Sequence, residues 1–244
     1  MNPSPEQLRA QVAEAVCYFW KTRERQAKKQ KSSRQTDQGA RSAVTGGAQM
    51  DGFIQMLTDL IRQAGADDSA VFHSTHLEVP GYFRPTKEWD LLVVKDDQLV
   101  VVIEVKSQVG PSFGNNFNNR TEEAIGSAVD LWTAFREGAL HKSAPPWLGY
   151  LFLVEECPAS LRPVNVQEPH FDVFPEFKNA SYAKRYELLC RKLVRERHYT
   201  ASAFLMSHKR TGLKGAHKEL ASDLTTEGFV RSLMAHVAAW GRSR

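Results

Sequence analysis

Cysteine is scarce in this chain and poorly spaced for any framework. Only Cys17, Cys157 and Cys190 occur in 244 residues. An odd, widely separated set with no Cys-x-x-Cys and no Cys/His cluster excludes a disulfide scaffold and a zinc module, and suits a reducing cytoplasm. No apolar run approaches the roughly eighteen residues of a membrane span, and the amino terminus lacks the basic-then-apolar plan of a signal peptide. A soluble, cytoplasmic protein with no membrane partner is therefore expected. Repeats and low-complexity blocks are missing too, which excludes a solenoid. Charge is not extreme. A net +4 with pI near 8.9 suits a polyanionic partner without specifying one.

What is present is enough apolar material, 42% of the residues, for one sizeable core with an appended region. Ser4-Pro5-Glu6-Gln7 has the form of a capping box with Pro at the first helical position, and Leu8, Val12, Val16 and Phe19 follow at helical spacing. The continuation, with Lys21, Arg23, Arg25, Lys28, Lys29, Lys31 and Arg34 up to Gly46-Gly47, is either a solvated tail or an arm that meets phosphate. Met50, Phe53, Ile54, Leu57 and Ile61 mark a second helix that Gly65 can end. The period then changes. Val71 to Val79, Trp89 to Val94 and Leu99 to Val105 are strand candidates in a three-strand meander. The Gly- and Asn-rich stretch Ser107 to Arg120 is expected as a loop before a helix capped by Thr121, and Trp147 to Val154 as a buried strand. A basic helix from about Ser181 to Arg197, a strand from Thr200 to Met206 and a last helix carrying Phe229, Val230, Leu233, Met234, Val237 and Trp240 complete the chain. The order predicts an α/β fold, a central mixed β-sheet flanked by helices.

The chemistry concentrates in Pro85-Thr86-Lys87-Glu88-Trp89-Asp90 and, after thirteen intervening residues, Glu104-Val105-Lys106. Carboxylate oxygens are the ligands that a hard cation such as Mg²⁺ requires, and Glu104 and Lys106, two apart on a strand, share a face. Asp90 joins them only in the right register, because a slip of one residue reverses every side chain. A turn of Asp96-Asp97 alone pairs Lys95 with Gln98 and puts Asp90 on the opposite face. A three-residue loop, or a compensating bulge, sets it across from Glu104, and one of these is predicted. Leu92, Val94, Val100 and Val102 then lie on the acids' face, and Leu91, Val93, Val101, Ile103 and Val105 on the other. Two acids and a lysine on such a sheet cost several kcal/mol unless they pair with each other, a cation or water. A purely structural ion cluster would meet that demand as well.

An Asp followed at this distance by Glu-x-Lys resembles the PD-(D/E)xK nuclease superfamily, although Trp89 rather than Pro precedes Asp90. The resemblance implies that Asp90 and Glu104 are metal ligands and that Lys106 orients or helps activate the attacking water. Over most of its length the chain also resembles the XhoI-type restriction endonucleases, through the run Pro85 to Lys106, the segment Gly114-Asn115-Asn116-Phe117-Asn118-Asn119-Arg120 and the segment Trp147-Leu148-Gly149-Tyr150-Leu151-Phe152. That likeness implies a restriction-endonuclease-like core, and a homodimer that cuts double-stranded DNA at the palindrome 5′-CTCGAG with Mg²⁺, leaving 5′ overhangs. The organisation expected from it is an N-terminal helix and basic arm over 1–47, a nuclease core over 48–160, and a C-terminal helical region for DNA binding and dimerisation over 161–244.

Asn115, Asn116, Asn118, Asn119 and Arg120 are apt for base edges, since Asn pairs bidentately with adenine and Arg with guanine; the alternative is a turn-rich loop using Asn for its tolerance of left-handed backbone. Glu78 on the preceding strand, or Asp51 or Asp59 on the helix before it, could supply additional metal ligands; the alternative is that they are solvated surface acids. Gln108 is unassigned. Lys178, Lys184, Arg185, Arg191, Lys192, Arg195 and Arg197 either contact phosphates or form a solvated face. His198, His208 and His217 stand nine or ten residues apart, which fits no ligand pattern, and Phe171, Phe174 and Phe177 suggest packing. A repair or recombination nuclease on the same core is the nearest alternative function, and a DNA-binding module that does not cut is the alternative of another class.

Overall fold

A computed structural model describes residues 3–32 and 47–242. Helix α1 (Pro5–Ser32) starts at the expected capping box: the Ser4 amide donates to Gln7 Oε1 at 2.8 Å and the Gln7 amide to Ser4 Oγ at 3.2 Å. Arg34 and the rest of the basic arm over 33–46 lie outside the described residues. Helix α2 (Asp51–Gln63) ends near Gly65, whose φ of +107° takes the chain into the left-handed region.

The first strand candidate is divided. β1 (Val71–Phe72) and β2 (Glu78–Pro80) are separate strands, because the intervening segment passes through a left-handed residue, His76 at φ +58°. β2 pairs antiparallel with β3 (Thr86–Glu88) in a small two-stranded sheet. β1 pairs instead with β4 (Leu91–Lys95), which turns into β5 (Gln98–Gln108). The meander is therefore a correction: only β1, β4 and β5 form it.

Helix α3 (Phe113–Arg136) corrects a second expectation. The Asn-rich segment is its first two turns, not a loop, and Thr121 sits inside it with Oγ1 donating to the Phe117 carbonyl at 2.9 Å. Packing overrides the low helical preference of Asn. Phe113 stacks on Tyr182, with centroids 6.0 Å apart, and Phe117 meets Tyr186 edge-on at 5.2 Å. β6 (Trp147–Glu155), α4 (Pro158–Leu161), α5 (Tyr182–Arg195), β7 (Ala201–Ser207), α6 (Lys209–Gly212) and α7 (Thr226–Arg242) follow.

The main sheet has the order β1-β4-β5-β6-β7, antiparallel from β1 to β5 and parallel from β5 to β7. It is the mixed sheet expected. One face packs on α1, α2 and α7 through residues such as Phe19, Leu57, Ile103, Leu151 and Leu233, and the other on α3 and α5 through Val102, Phe152, Leu131 and Leu189. Alternation along β6 divides its side chains between the two cores, as a strand buried on both faces requires. Gly149 is needed where the Trp147 ring folds back over the strand toward Phe229; a Cβ there would stand 2.3 Å from Trp147 Cζ3. Phe171 and Phe174 do not pack as predicted. They lie on an irregular segment, and Phe171 is 88% exposed. No described helix is long and apolar enough to cross a membrane.

Candidate active site

The turn between β4 and β5 is the two-residue Asp96-Asp97, both at positive φ, the backbone that the right-handed twist of a tight hairpin favours. Lys95 accordingly pairs with Gln98 and Val94 with Leu99. The register then shifts. Val93 pairs with Val101 and Leu91 with Ile103, so Val100 is the extra residue of a β-bulge. The bulge is the second of the two predicted devices, and it restores the register that sets Asp90 beside Glu104. It also moves Val100 into the core under α7, away from the acids' face. The Asp90 amide donates to the Ile103 carbonyl at 3.2 Å and so continues the ladder one residue past β4.

The three motif side chains meet. Lys106 Nζ lies 3.2 Å from Asp90 Oδ2 and 3.0 Å from Glu104 Oε1. Asp90 Oδ2 also accepts from the Val105 amide at 2.8 Å, which fixes the carboxylate at the start of β4 with its side chain 29% exposed. Glu104 is fully buried. Burial by itself would push its carboxyl up, but the Lys106 and Lys87 ammoniums outweigh that and hold it below the usual carboxylate range. Burial likewise works to lower Lys106, and the charges of Glu104, Asp90 and Glu123 raise it above the usual lysine value.

Three further residues complete the cluster, and none of them was picked out by the sequence pattern. Lys87, from β3, places Nζ 3.1 Å from Glu104 Oε1 and 4.4 Å from the centroid of the Trp89 ring. Tyr199, just before β7, has its hydroxyl 3.1 Å from Glu104 Oε2 and 3.2 Å from the Ala124 carbonyl. Glu123 on α3 stands 4.0 Å from Lys106 and is held by Arg120 at 2.5 Å. Lys87 carries a weak signal in retrospect, since on an extended segment it shares a side with Trp89, two residues on. Tyr199 carries none, being 95 residues from its partner.

The other acids do not join. Asp51 and Asp59 line a cleft of about 450 Å³ between α1 and α2, on the far side of the sheet, and Glu78 is an exposed residue opposite Glu88. Burial raises Asp51 despite the charge of His73. Among the described residues no three of His, Cys, Asp and Glu gather into a metal-ligand set, the three histidines singled out by sequence included. Gln108 is buried, its amide donating to the Val109 carbonyl at 2.7 Å.

On α3, Asn115, Asn118, Asn119 and Glu122 form an exposed stripe, while Asn116 and Arg120 lie on its flank, the latter tied to Glu123. The basic helix is largely neutralised within the fold. Lys184 and Arg191 pair with Glu187, Arg191 also with Asp223, and Lys192 with Glu176; Lys178, which lies before α5, pairs with Glu168.

A hard cation fits the cluster. Two carboxylates converge on one ammonium where β4 begins beside β5, and Glu104 Oε1 faces two positive charges, as many as a divalent ion carries. One or two protein carboxylates, completed by water and phosphate oxygens, is the way Mg²⁺ is usually held.

The chain is similar to known restriction enzymes. The family profile for restriction endonuclease XhoI matches residues 29–219. The type II restriction enzyme BstVI of Geobacillus stearothermophilus is 59% identical over 207 residues, which cover 83% of this chain and 92% of that one. The type II restriction enzyme XhoI of Xanthomonas vasicola is 51% identical over 181 residues, 73% of this chain and 72% of its own. The type II restriction enzyme AbrI of Azospirillum brasilense is 52% identical over 159 residues, 65% and 71%. No solved structure matches significantly.

Proposed function

The chain belongs to the XhoI restriction endonuclease family and is a type II restriction endonuclease, and we propose that Asp90, Glu104 and Lys106 are the residues with which it hydrolyses the phosphodiester. The observation that carries this reading is the convergence of all three on one point where β4 begins beside β5, through the register that the Val100 bulge restores. The substrate in this reading is double-stranded DNA at the palindrome 5′-CTCGAG, cut to 5′ overhangs by a homodimer whose two-fold axis matches that of the site.

Asp90 and Glu104 would hold Mg²⁺, which when bound would lower the pKa of a water and offset charge on the phosphate. Glu104 is suited to this because its neighbours keep it ionised although it is buried. Lys106, whose pKa the surrounding carboxylates raise, orients or helps activate the attacking water. Tyr199 buttresses the far oxygen of Glu104. The exposed stripe of α3 presents Asn115, Asn118 and Asn119 to base edges, with Asn116 and Arg120 beside them; the Arg120–Glu123–Lys106 contacts connect this reading helix to the cleavage centre.

The test is a plasmid carrying one CTCGAG site, incubated with the purified protein and Mg²⁺ or EDTA. A single Mg²⁺-dependent linear product, whose ends sequence as 5′ overhangs at the site, is expected. Nicking without site preference would move the function to repair or recombination, and no cleavage would leave a DNA-binding module.

A further inference from the structure

Glu104 Oε1 has two ammonium partners, Lys106 at 3.0 Å and Lys87 at 3.1 Å. The motif accounts for the first only. Lys87 is brought in by the β2–β3 hairpin, where it pairs across from Val79, and its side chain is 11% exposed. Few lysines are placed so deeply without a function or a full set of partners. Its remaining contacts are neutral: the Glu88 carbonyl at 3.2 Å and the face of Trp89. Lys106, by contrast, is anchored to a second carboxylate, Asp90, and faces a third, Glu123.

These contacts make the two lysines unequal when a divalent ion arrives. A carboxylate oxygen that already accepts from two ammoniums must give one up to ligate a cation. Lys106 keeps Asp90 and Glu123 in its neighbourhood, whereas Lys87 has no other carboxylate within ion-pair distance among the described residues. We propose that Lys87 is a second, exchangeable cation of the active site: it balances Glu104 before the divalent ion binds, and then moves its ammonium onto a non-bridging oxygen of the scissile phosphate. This rests on the reading of Asp90 and Glu104 as cation ligands. The phosphate is the natural acceptor, because it is the anion that catalysis brings to this site and its charge grows as the bond breaks. The Lys87 ammonium lies 4.4 Å from the centroid of the Trp89 ring, a neutral cation–π contact that does not replace the carboxylate it gives up.

The exchange has an unusual signature, since one substitution should strengthen one step and weaken another. Lys87→Met keeps the stem and removes the competing charge. In the full-length protein without DNA, Tb³⁺ luminescence and calorimetry with Ca²⁺ should show cation binding tightened by about tenfold, the direction expected when a like charge a few ångströms away is deleted. Single-turnover cleavage of a CTCGAG duplex at saturating Mg²⁺ should fall by about a hundredfold, a loss typical of removing one donor to the transition state. Lys87→Arg should keep the cation affinity of the parent and recover most of the rate. A residue that merely holds the fold together would lower cation affinity and cleavage together. Unchanged or weakened cation binding in folded Lys87→Met, or in Lys87→Gln should the Met variant not fold, overturns the proposal. Glu104→Gln separates the two failures: it should abolish Tb³⁺ binding, and a Glu104→Gln protein that binds Tb³⁺ like the parent overturns the ligand reading itself.

Discussion

The loop that carries the chain from β2 into the active site hangs on one carboxylate, and replacing it should be felt at a distance. Asp130 on α3 is 4% exposed; its Oδ1 accepts from the Tyr82 and Phe83 amides at 2.8 Å each, and its Oδ2 from Arg84 Nε at 2.6 Å. Gly81 makes room for the clasp, since a Cβ there would stand 2.5 Å from Asp130 Oδ2. Asp130→Asn is isosteric. It retains one acceptor for the two amides, removes the charge that strengthens them, and turns an NH₂ toward Arg84. Hydrogen bonds to ionised groups are worth about 1.5–3 kcal/mol against about 1 for neutral ones. Arg84 is partly exposed and regains water, so its bond is discounted. A loss of about 2–3 kcal/mol follows, or a fall in Tm of roughly 4–12 °C for a chain of this size.

The effect of pH has a definite sign. Burial works to raise the Asp130 carboxyl, but Arg84 and the two loop amides outweigh it and hold the group below its ordinary value. A group depressed in the folded state stabilises fully above its unfolded pKa of about 4, and that contribution disappears as pH falls through the folded value. Scanning calorimetry of parent and Asp130→Asn should therefore show a constant difference from pH 5 to 8 that narrows below about pH 4. A difference under about 0.5 kcal/mol at pH 7, within the range of ordinary surface changes, or one that fails to narrow in acid, would refute the reasoning.

Tyr199→Phe leaves Glu104 Oε2 without its donor; it should cost about 1–2 kcal/mol in urea unfolding and slow cleavage by about tenfold, with DNA affinity in Ca²⁺ unchanged. Gly149→Ala drives a methyl into Trp147 and Phe229 and should destabilise by about 3 kcal/mol, read as a lower urea midpoint with the same slope. Asn118→Ala, on the exposed stripe of α3, should leave Tm within a degree or two and weaken binding to CTCGAG by about 1–3 kcal/mol relative to a mismatched duplex, measured by competition in Ca²⁺.

The parts of this molecule that were legible in advance are those governed by local periodicity. The capping box at Ser4, the apolar faces of α2 and α7, and the buried runs of β5 and β6 follow from spacing alone; spacing also narrowed the hairpin to a longer loop or a bulge, and the two-residue turn at Asp96-Asp97 settled it for the bulge. Tertiary packing decided the rest. Phe113 and Phe117, clamped by Tyr182 and Tyr186, make a helix of an Asn-rich segment that composition alone assigns to a loop. His76 divides what alternation presents as one strand. Of the cluster, Asp90, Glu104 and Lys106 share one hairpin and were visible together; Lys87, Glu123 and Tyr199 arrive from three other elements, and only the folded chain brings them in.

The measurement that bears most directly on the active site is single-turnover cleavage and equilibrium binding of one CTCGAG duplex by Glu104→Gln, which preserves the shape of the side chain. Cleavage reduced by about a thousandfold or more, with binding in the absence of divalent ions within a few-fold of the parent, is the predicted result. Cleavage within tenfold of the parent would contradict it, and would place the chemistry on residues other than Asp90, Glu104 and Lys106.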